Sequence, residues 1–184
     1  MTEIRRLAIE DILLITPKRF GDERGFFSET YNMQVLADAG FTRAFVQDNH
    51  SMSARRGTLR GLHFQRPPHT QDKLLRVVLG SIYDVAVDIR PGSPTYGQWA
   101  GAELSAENGR QLLVPAGFAH GFVTLTQRAE VLYKVTDYYA PAAEDGLIWN
   151  DPAVGITWPI AADEVITNAR DGAWPTLADL KPLS

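Results

Sequence analysis

Turn-forming residues break this chain roughly every eight to twelve positions, and no other feature restricts its fold as much. Between the Gly, Pro, Asn and Asp breaks lie short runs rich in β-branched and aromatic residues, which suit a pleated, half-buried backbone. Strands are expected at 11–16, 25–30, 45–52, 58–65, 73–79, 81–89, 97–104, 110–114, 120–126 and 129–137. Helices do not alternate with them, so the pairing should be antiparallel. Only "NMQVLADAG" (32–40) reads as a helix: Asn32 can cap its start, Val35, Leu36 and Ala39 make an apolar stripe, and Gly40 suits its end. The expectation is an all-β sandwich or barrel, one domain spanning residues 1–184. The tail after Asp151 still carries Trp158 and Trp174, so it should pack on the barrel.

The remaining composition narrows the function classes. A chain of 184 residues, 45% hydrophobic and 22% charged, can bury a sizeable core and is not mainly disordered. No apolar run reaches the roughly 18 residues that span a bilayer, and "MTEIRRLAIEDILLI" carries acids inside its apolar stretch, unlike a signal peptide. A cytoplasmic protein without a membrane partner is expected. A net charge of -4 speaks against nucleic acid as a partner, so an anionic ligand would have to be met by a local cluster of cations. Without cysteine there is no disulfide, thiolate nucleophile or thiolate metal site.

Strand alternation assigns faces. In "SIYDVAVDI" (81–89) both faces are half apolar, so the strand should be covered on both sides. Asp84 then stands between Ile82 and Ala86, a buried carboxylate that needs a partner. Tyr133 shares a face with Val131 and Val135 and should point inward, and Lys73 lies on the apolar side with Leu75, Val77 and Leu79. The run "GTLRGLHFQ" (57–65) sets Arg60 and His63 among Leu59, Leu62 and Phe64. Strict alternation puts those two on opposite faces, and Gly61 is where a bulge could bring them together.

Two stretches carry the chemistry. "GRQLLVPAGFAHGFVT" fits G-x5-P-x-G-x2-H through Gly109, Pro115, Gly117 and His120, and "GTLRGLHFQ" supplies His63. Together they resemble the paired motifs of the cupins, which implies a double-stranded β-helix, or jelly roll, with extra N-terminal strands and a few short helices. Many cupins bind a metal with such histidines. Here Gln65 occupies a usual histidine position and "RPPHTQ" supplies no acid, a poor donor set for a divalent ion. His50 and His69 read as surface histidines. The site is therefore expected to be metal-free. A histidine held by a carboxylate is a general base, a tyrosine hydroxyl a proton donor, and a lysine or arginine beside them steadies an oxyanion. That combination suits epimerisation beside a carbonyl through an enolate.

The runs "RFGDERGFFSETYN", "FVQDNHSMSARRGTLRGLHFQRPPHTQDKLLRV", "GSIYDVAVDIRPGSPTYGQW", "VPAGFAHGF" and "AEVLYKVTDYYAPAAEDGLIWNDP" resemble, in order, the dTDP-4-dehydrorhamnose 3,5-epimerase family, from Pro17 to Leu177. The resemblance implies an enzyme that works without a cofactor and inverts C3 and C5 of a dTDP-linked 4-keto-6-deoxyhexose to give dTDP-4-dehydro-L-rhamnose. It also implies a homodimer with swapped N-terminal strands. Position by position, His63 matches the base and Asp171 its paired acid, Tyr133 the opposing proton donor, and Lys73 the cation near the keto oxygen. His120 and Asp84 match a second histidine–aspartate pair. Arg60 matches a phosphate contact, Gln47 and Asn49 polar groups around the diphosphate and nucleoside, Tyr139 a ring stacking on thymine, and Glu144 and Arg170 further nucleotide contacts. Arg24, Phe27 and Glu29 match residues that reach the partner's site.

Arg170 stands where the family usually has Lys, Met52 replaces a polar residue, and "NARD" departs from the usual surroundings of the acid. Taken alone, Arg24 and Glu29 would form an ordinary surface ion pair. Other function classes are a mono-epimerase of an antibiotic or surface-polysaccharide deoxysugar pathway, a metal-dependent cupin, and a degenerate sugar-nucleotide binding module. The last would more naturally have lost its base or acid.

Overall fold

The computed structural model describes residues 2–183. Its strands are β1 (Glu3–Arg6), β2 (Leu13–Thr16), β3 (Arg19–Asp22), β4 (Gly25–Ser28), β5 (Gln47–Ser53), β6 (Leu59–Gln65), β7 (Lys73–Leu79), β8 (Ser81–Asp88), β9 (Trp99–Ser105), β10 (Gln111–Val114), β11 (Phe118–Thr124), β12 (Ala129–Val135) and β13 (Glu144–Gly146), with helix α1 (Met33–Asp38) after β4. Every expected strand is present, and β1, β3 and β13 are additional. Asn32 caps α1 through its side chain, which accepts from Gln34 and Val35 N–H, and Gly40 follows with φ +97°.

Two antiparallel sheets face each other, one ordered β1-β2-β10-β7-β12-β5 and the other β13-β6-β11-β8-β9. The space between them is filled by Leu14, Leu75, Val77, Leu112 and Val131 from the first sheet and Ile82, Ala86, Leu104 and Phe122 from the second. The outer faces are covered too. Helix α1 and its flanks cover Leu13, Ile15, Leu74 and Leu113, and the tail covers Val85, Val87 and Ile89 through Leu177, Leu180 and Trp158. This double burial explains why β8 is apolar on both faces, and it aims Asp84 into the barrel beside Ile82 and Ala86.

Strand β6 carries the irregularity that positions the site. His63 pairs with His120 and Arg60 with Phe122, so three steps on β6 oppose two on β11. That extra residue is a bulge, and it puts Arg60 and His63 on one face. Gly61 has φ +130°, and a Cβ there would lie 2.6 Å from Gly121 Cα. Only glycine allows the two backbones to approach this closely.

The tail has few regular hydrogen bonds of its own and is fastened by others. Ile166 forms a parallel bridge with Thr58, Asp151 accepts from Ala153 N–H at 2.8 Å and Leu177 N–H at 2.6 Å, and Arg66 donates to the carbonyls of Lys181 and Pro182.

Candidate active site

Between the sheets lies a cavity of about 250 Å³. Strand β6 contributes Arg60 and His63, β7 Lys73, β11 His120, β12 Tyr133, β13 Glu144, and the tail Arg170 and Asp171. An adjoining depression of about 280 Å³ shares His63, Lys73 and Tyr133 and adds Gln47 and Asn49. Tyr139 borders both.

His63 Nε2 lies 2.7 Å from Asp171 Oδ1, and the other carboxylate oxygen accepts from Gly61 N–H at 3.1 Å. Burial alone would raise the Asp171 pKa, but the hydrogen bonds from His63 and Gly61 outweigh it and hold the carboxyl below its usual range. An ionised Asp171 fixes the proton on Nε2, so Nδ1 is left to accept one. His120 forms the second pair, with Nε2 2.6 Å from Asp84 Oδ1. Burial lowers the His120 pKa more than Asp84 raises it, which keeps this imidazole neutral.

Lys73 donates to the His63 carbonyl at 3.2 Å. Burial lowers its pKa to about 8, against the pull of Asp84 and Glu144. Tyr133 stands on the strand next to Lys73, on the sheet opposite His63, and burial raises its pKa, so its hydroxyl keeps its proton at neutral pH. The Arg60 guanidinium is anchored by Ser53 Oγ at 3.1 Å and Met52 O at 3.0 Å. At the rim Glu144 Oε2 accepts from Tyr139 Oη at 2.8 Å and Arg170 Nη1 at 2.7 Å. Gln47 ties into the same rim by accepting from Tyr139 N–H and donating to Asn49.

The donor set does not suit a metal. Among the described residues no three His, Asp or Glu side chains converge as a ligand set, and the carboxylates beside the two cavity histidines, Asp171 and Asp84, are taken up by Nε2. The Gln65 amide is spent on His69 O, Tyr138 O and Ala140 N–H, which secures the loop carrying Tyr139. His50 and His69 lie at the surface beside Glu130 and Asp137.

Arg24, Phe27 and Glu29 lie outside the cavity. They also do not form the ion pair that Arg24 and Glu29 allowed in the sequence: Arg24 bonds Asp22, because the β3–β4 turn brings those two together, and Glu29 accepts from Asn32. Ser51 and Asn168 line the cavity without having been singled out. Alternation from Gln47 and Asn49 marks Ser51, whereas nothing local marks Asn168, which holds Asp171 N–H at 2.7 Å.

A sequence profile described as dTDP-4-dehydrorhamnose 3,5-epimerase matches residues 6–179. The chain belongs to that family. It is 54% identical to the dTDP-4-dehydrorhamnose 3,5-epimerase of Salmonella typhimurium over 178 residues, 96% of each chain. It is also 54% identical to the Pseudomonas aeruginosa enzyme of the same name over 175 residues, 95% of each. Among solved structures, a 3,5-epimerase from Legionella pneumophila in complex with dTDP-4-keto-L-rhamnose superposes with a TM-score of 0.93 at 44% identity, covering 98% of this chain and 95% of that one. The cupin-like jelly roll is thus the family's fold. A 3'-monoepimerase from Streptomyces bikiniensis superposes at 0.86 with 35% identity, over 95% of this chain and 87% of its own.

Proposed function

We propose that this protein converts dTDP-4-keto-6-deoxy-D-glucose to dTDP-4-dehydro-L-rhamnose by inverting C3 and C5 in turn. The observation that carries this is that the base and the acid stand on opposing sheets. His63 belongs to the five-stranded sheet and Tyr133 to the six-stranded one, and both face the same cavity. His63 Nδ1 takes the proton beside the C4 carbonyl, and the C–H electrons pass to the carbonyl oxygen. The Lys73 ammonium steadies the enolate, and the Tyr133 hydroxyl delivers a proton to the opposite face of the carbon. One C–H bond breaks and one forms, and exchange with solvent takes the proton from His63 and returns one to Tyr133 before the second carbon reacts, so no electron or group acceptor is needed. His120, held by Asp84, backs the cavity with a neutral imidazole that hydrogen-bonds the sugar.

Arg60, Gln47, Asn49, Tyr139, Glu144 and Arg170 take the dTDP portion: Arg60 the diphosphate and the Tyr139 ring the thymine. The chain has no helix long and apolar enough to cross a membrane among its described residues. We assign it to the cytoplasm, since a charged sugar nucleotide does not cross a bilayer unaided. We also propose a homodimer in which Arg24, Phe27 and Glu29 of each protomer complete the partner's site. Their position outside their own cavity, Arg24 and Phe27 on the β3–β4 hairpin with Phe27 69% exposed and Glu29 just after it, supports this.

The test is proton NMR of the substrate with purified protein in deuterated water, following C3 and C5 separately. Loss of both signals with native enzyme, and of neither with His63→Ala, is expected. Loss of one signal would make the protein a mono-epimerase. Full exchange by His63→Ala would remove His63 as the base.

A further inference from the structure

Asp171 presents a problem that its hydrogen bonds do not solve. It lies on an irregular segment with no strand around it, yet it is only 1% exposed. Loops ordinarily run over the surface, and a carboxylate buried on one needs a cover. Trp174, three residues on, supplies it. The indole meets the His63 ring edge-on, with centroids 6.1 Å apart at 75°. The Arg170 guanidinium lies 5.8 Å from its ring on the solvent side. Its N–H is buried without a partner at hydrogen-bond distance among the described residues, and it is near enough to Asp171 to help keep that carboxyl ionised.

The slot for the indole is built into the sheet. Gly146 of β13 pairs directly with His63 of β6. A Cβ on Gly146 would stand 2.6 Å from indole Nε1 and closer still to Cδ2 and Cε2. The indole therefore lies flat on the backbone opposite the base, in space that only glycine leaves open. The following residue is fixed as well, since the Pro175 carbonyl accepts from Ile148 N–H at 2.9 Å.

We infer that Trp174, seated on Gly146, is a positioning residue that shields the His63–Asp171 pair from water and holds the imidazole with Nε2 toward the carboxylate and Nδ1 toward the substrate. This rests on His63 being the base, but its first test needs no substrate. A short imidazole–carboxylate hydrogen bond gives a far-downfield N–H proton signal only while water is kept from exchanging it. The enzyme has two such pairs, and the deeply buried His120–Asp84 serves as an internal reference.

Native protein should show two downfield signals, the one missing from His63→Asn belonging to His63. Trp174→Ala should lose that signal alone, with kcat lower by roughly 10- to 100-fold and KM little changed. Trp174→Phe, which refills the slot, should restore signal and rate at least in part. Gly146→Ala should reproduce Trp174→Ala with the tryptophan still present, by displacing it, and combining the two should add little. Persistence of the His63 signal and native kcat in Trp174→Ala would overturn the inference. Loss of both signals would overturn it as well, because the indole would then support general packing rather than this pair.

Discussion

Lys73 is held in the barrel against its own charge. Its pKa of about 8, against 10.5 for the free group, amounts to at most about 3 kcal/mol of destabilisation, an upper figure because the side chain still reaches solvent through the cavity mouth. The sign follows from proton counting. Between pH 8 and 10.5 the unfolded chain binds more protons at this position than the folded one, so the penalty is complete below about 8 and is relieved as pH rises. A residue kept at such cost is expected to serve chemistry rather than folding. Lys73→Met should therefore unfold at no lower urea concentration than native protein while losing exchange at both C3 and C5. If the ammonium steadies the enolate, native exchange should also decline as pH rises through about 8, where the charge is lost. A rate that stays flat to pH 10, or a Lys73→Met variant that still exchanges, would remove the lysine from the mechanism.

At the scale of elements, what was legible in the sequence depended on whether position followed from local periodicity. Alternation alone placed Asp84, Lys73 and Tyr133 inside, because β8 is regular and so are the parts of β7 and β12 that carry Lys73 and Tyr133, whereas the register shift at Val78 leaves Leu79 exposed, off the apolar face that alternation gave it. It failed for Arg60 and His63 because the β6 bulge breaks the period, and only Gly61 hinted at this. Strand β13 is three residues long and exists because β6 offers it an edge, so no pattern in "EDG" could announce it. Asp171 reaches His63 through the tail's bridge at Ile166 and through Trp174 on Gly146, which are contacts between residues far apart in the chain. The turn after β8 was legible only as a break, yet it is highly organised. Asp88 is fully buried and accepts from Arg90 N–H, the Arg90 guanidinium, Ser93 Oγ and Thr95 Oγ1. Burial pushes its pKa up, but these hydrogen bonds prevail and hold it at about 2. A depressed carboxyl contributes stability above its unfolded pKa and loses it as pH falls through the folded one. The loss is about 2 kcal/mol between pH 4 and pH 2. Urea melts of Asp88→Asn should show lower stability at pH 7 and a shallower decline over that acid range than native protein. Parallel declines would mean that the turn is held by something else.

For the molecule as a whole, the unusual feature is the β3–β4 hairpin. Two-stranded ribbons are marginal in water by themselves. This one is joined to neither sheet, and it leaves Phe20, Phe26 and Phe27 55%, 62% and 69% exposed. Arg19 secures its base by donating to the carbonyls of Ala106 and Glu107, but the far end presents aromatic surface to solvent, which marks a contact surface. If the hairpin and the residue after it enter a second copy, each site combines His63 of one chain with Arg24 and Glu29 of the other, and the arrangement can be tested by mixing. His63→Ala and Arg24→Ala/Glu29→Ala proteins should each be nearly inactive as homodimers. After joint unfolding and refolding at equal amounts, half of the dimers should be mixed, and one site in each mixed dimer would hold an intact His63 and an intact hairpin. Activity should then recover to about a quarter of native. If the hairpin serves its own chain, a mixed dimer contains no complete site and activity stays at the level of the parents. Phe27→Asp separates assembly from chemistry, because a charge on the inserted aromatic should shift the protein toward monomer in sedimentation experiments while leaving the His63–Asp171 pair intact within each chain.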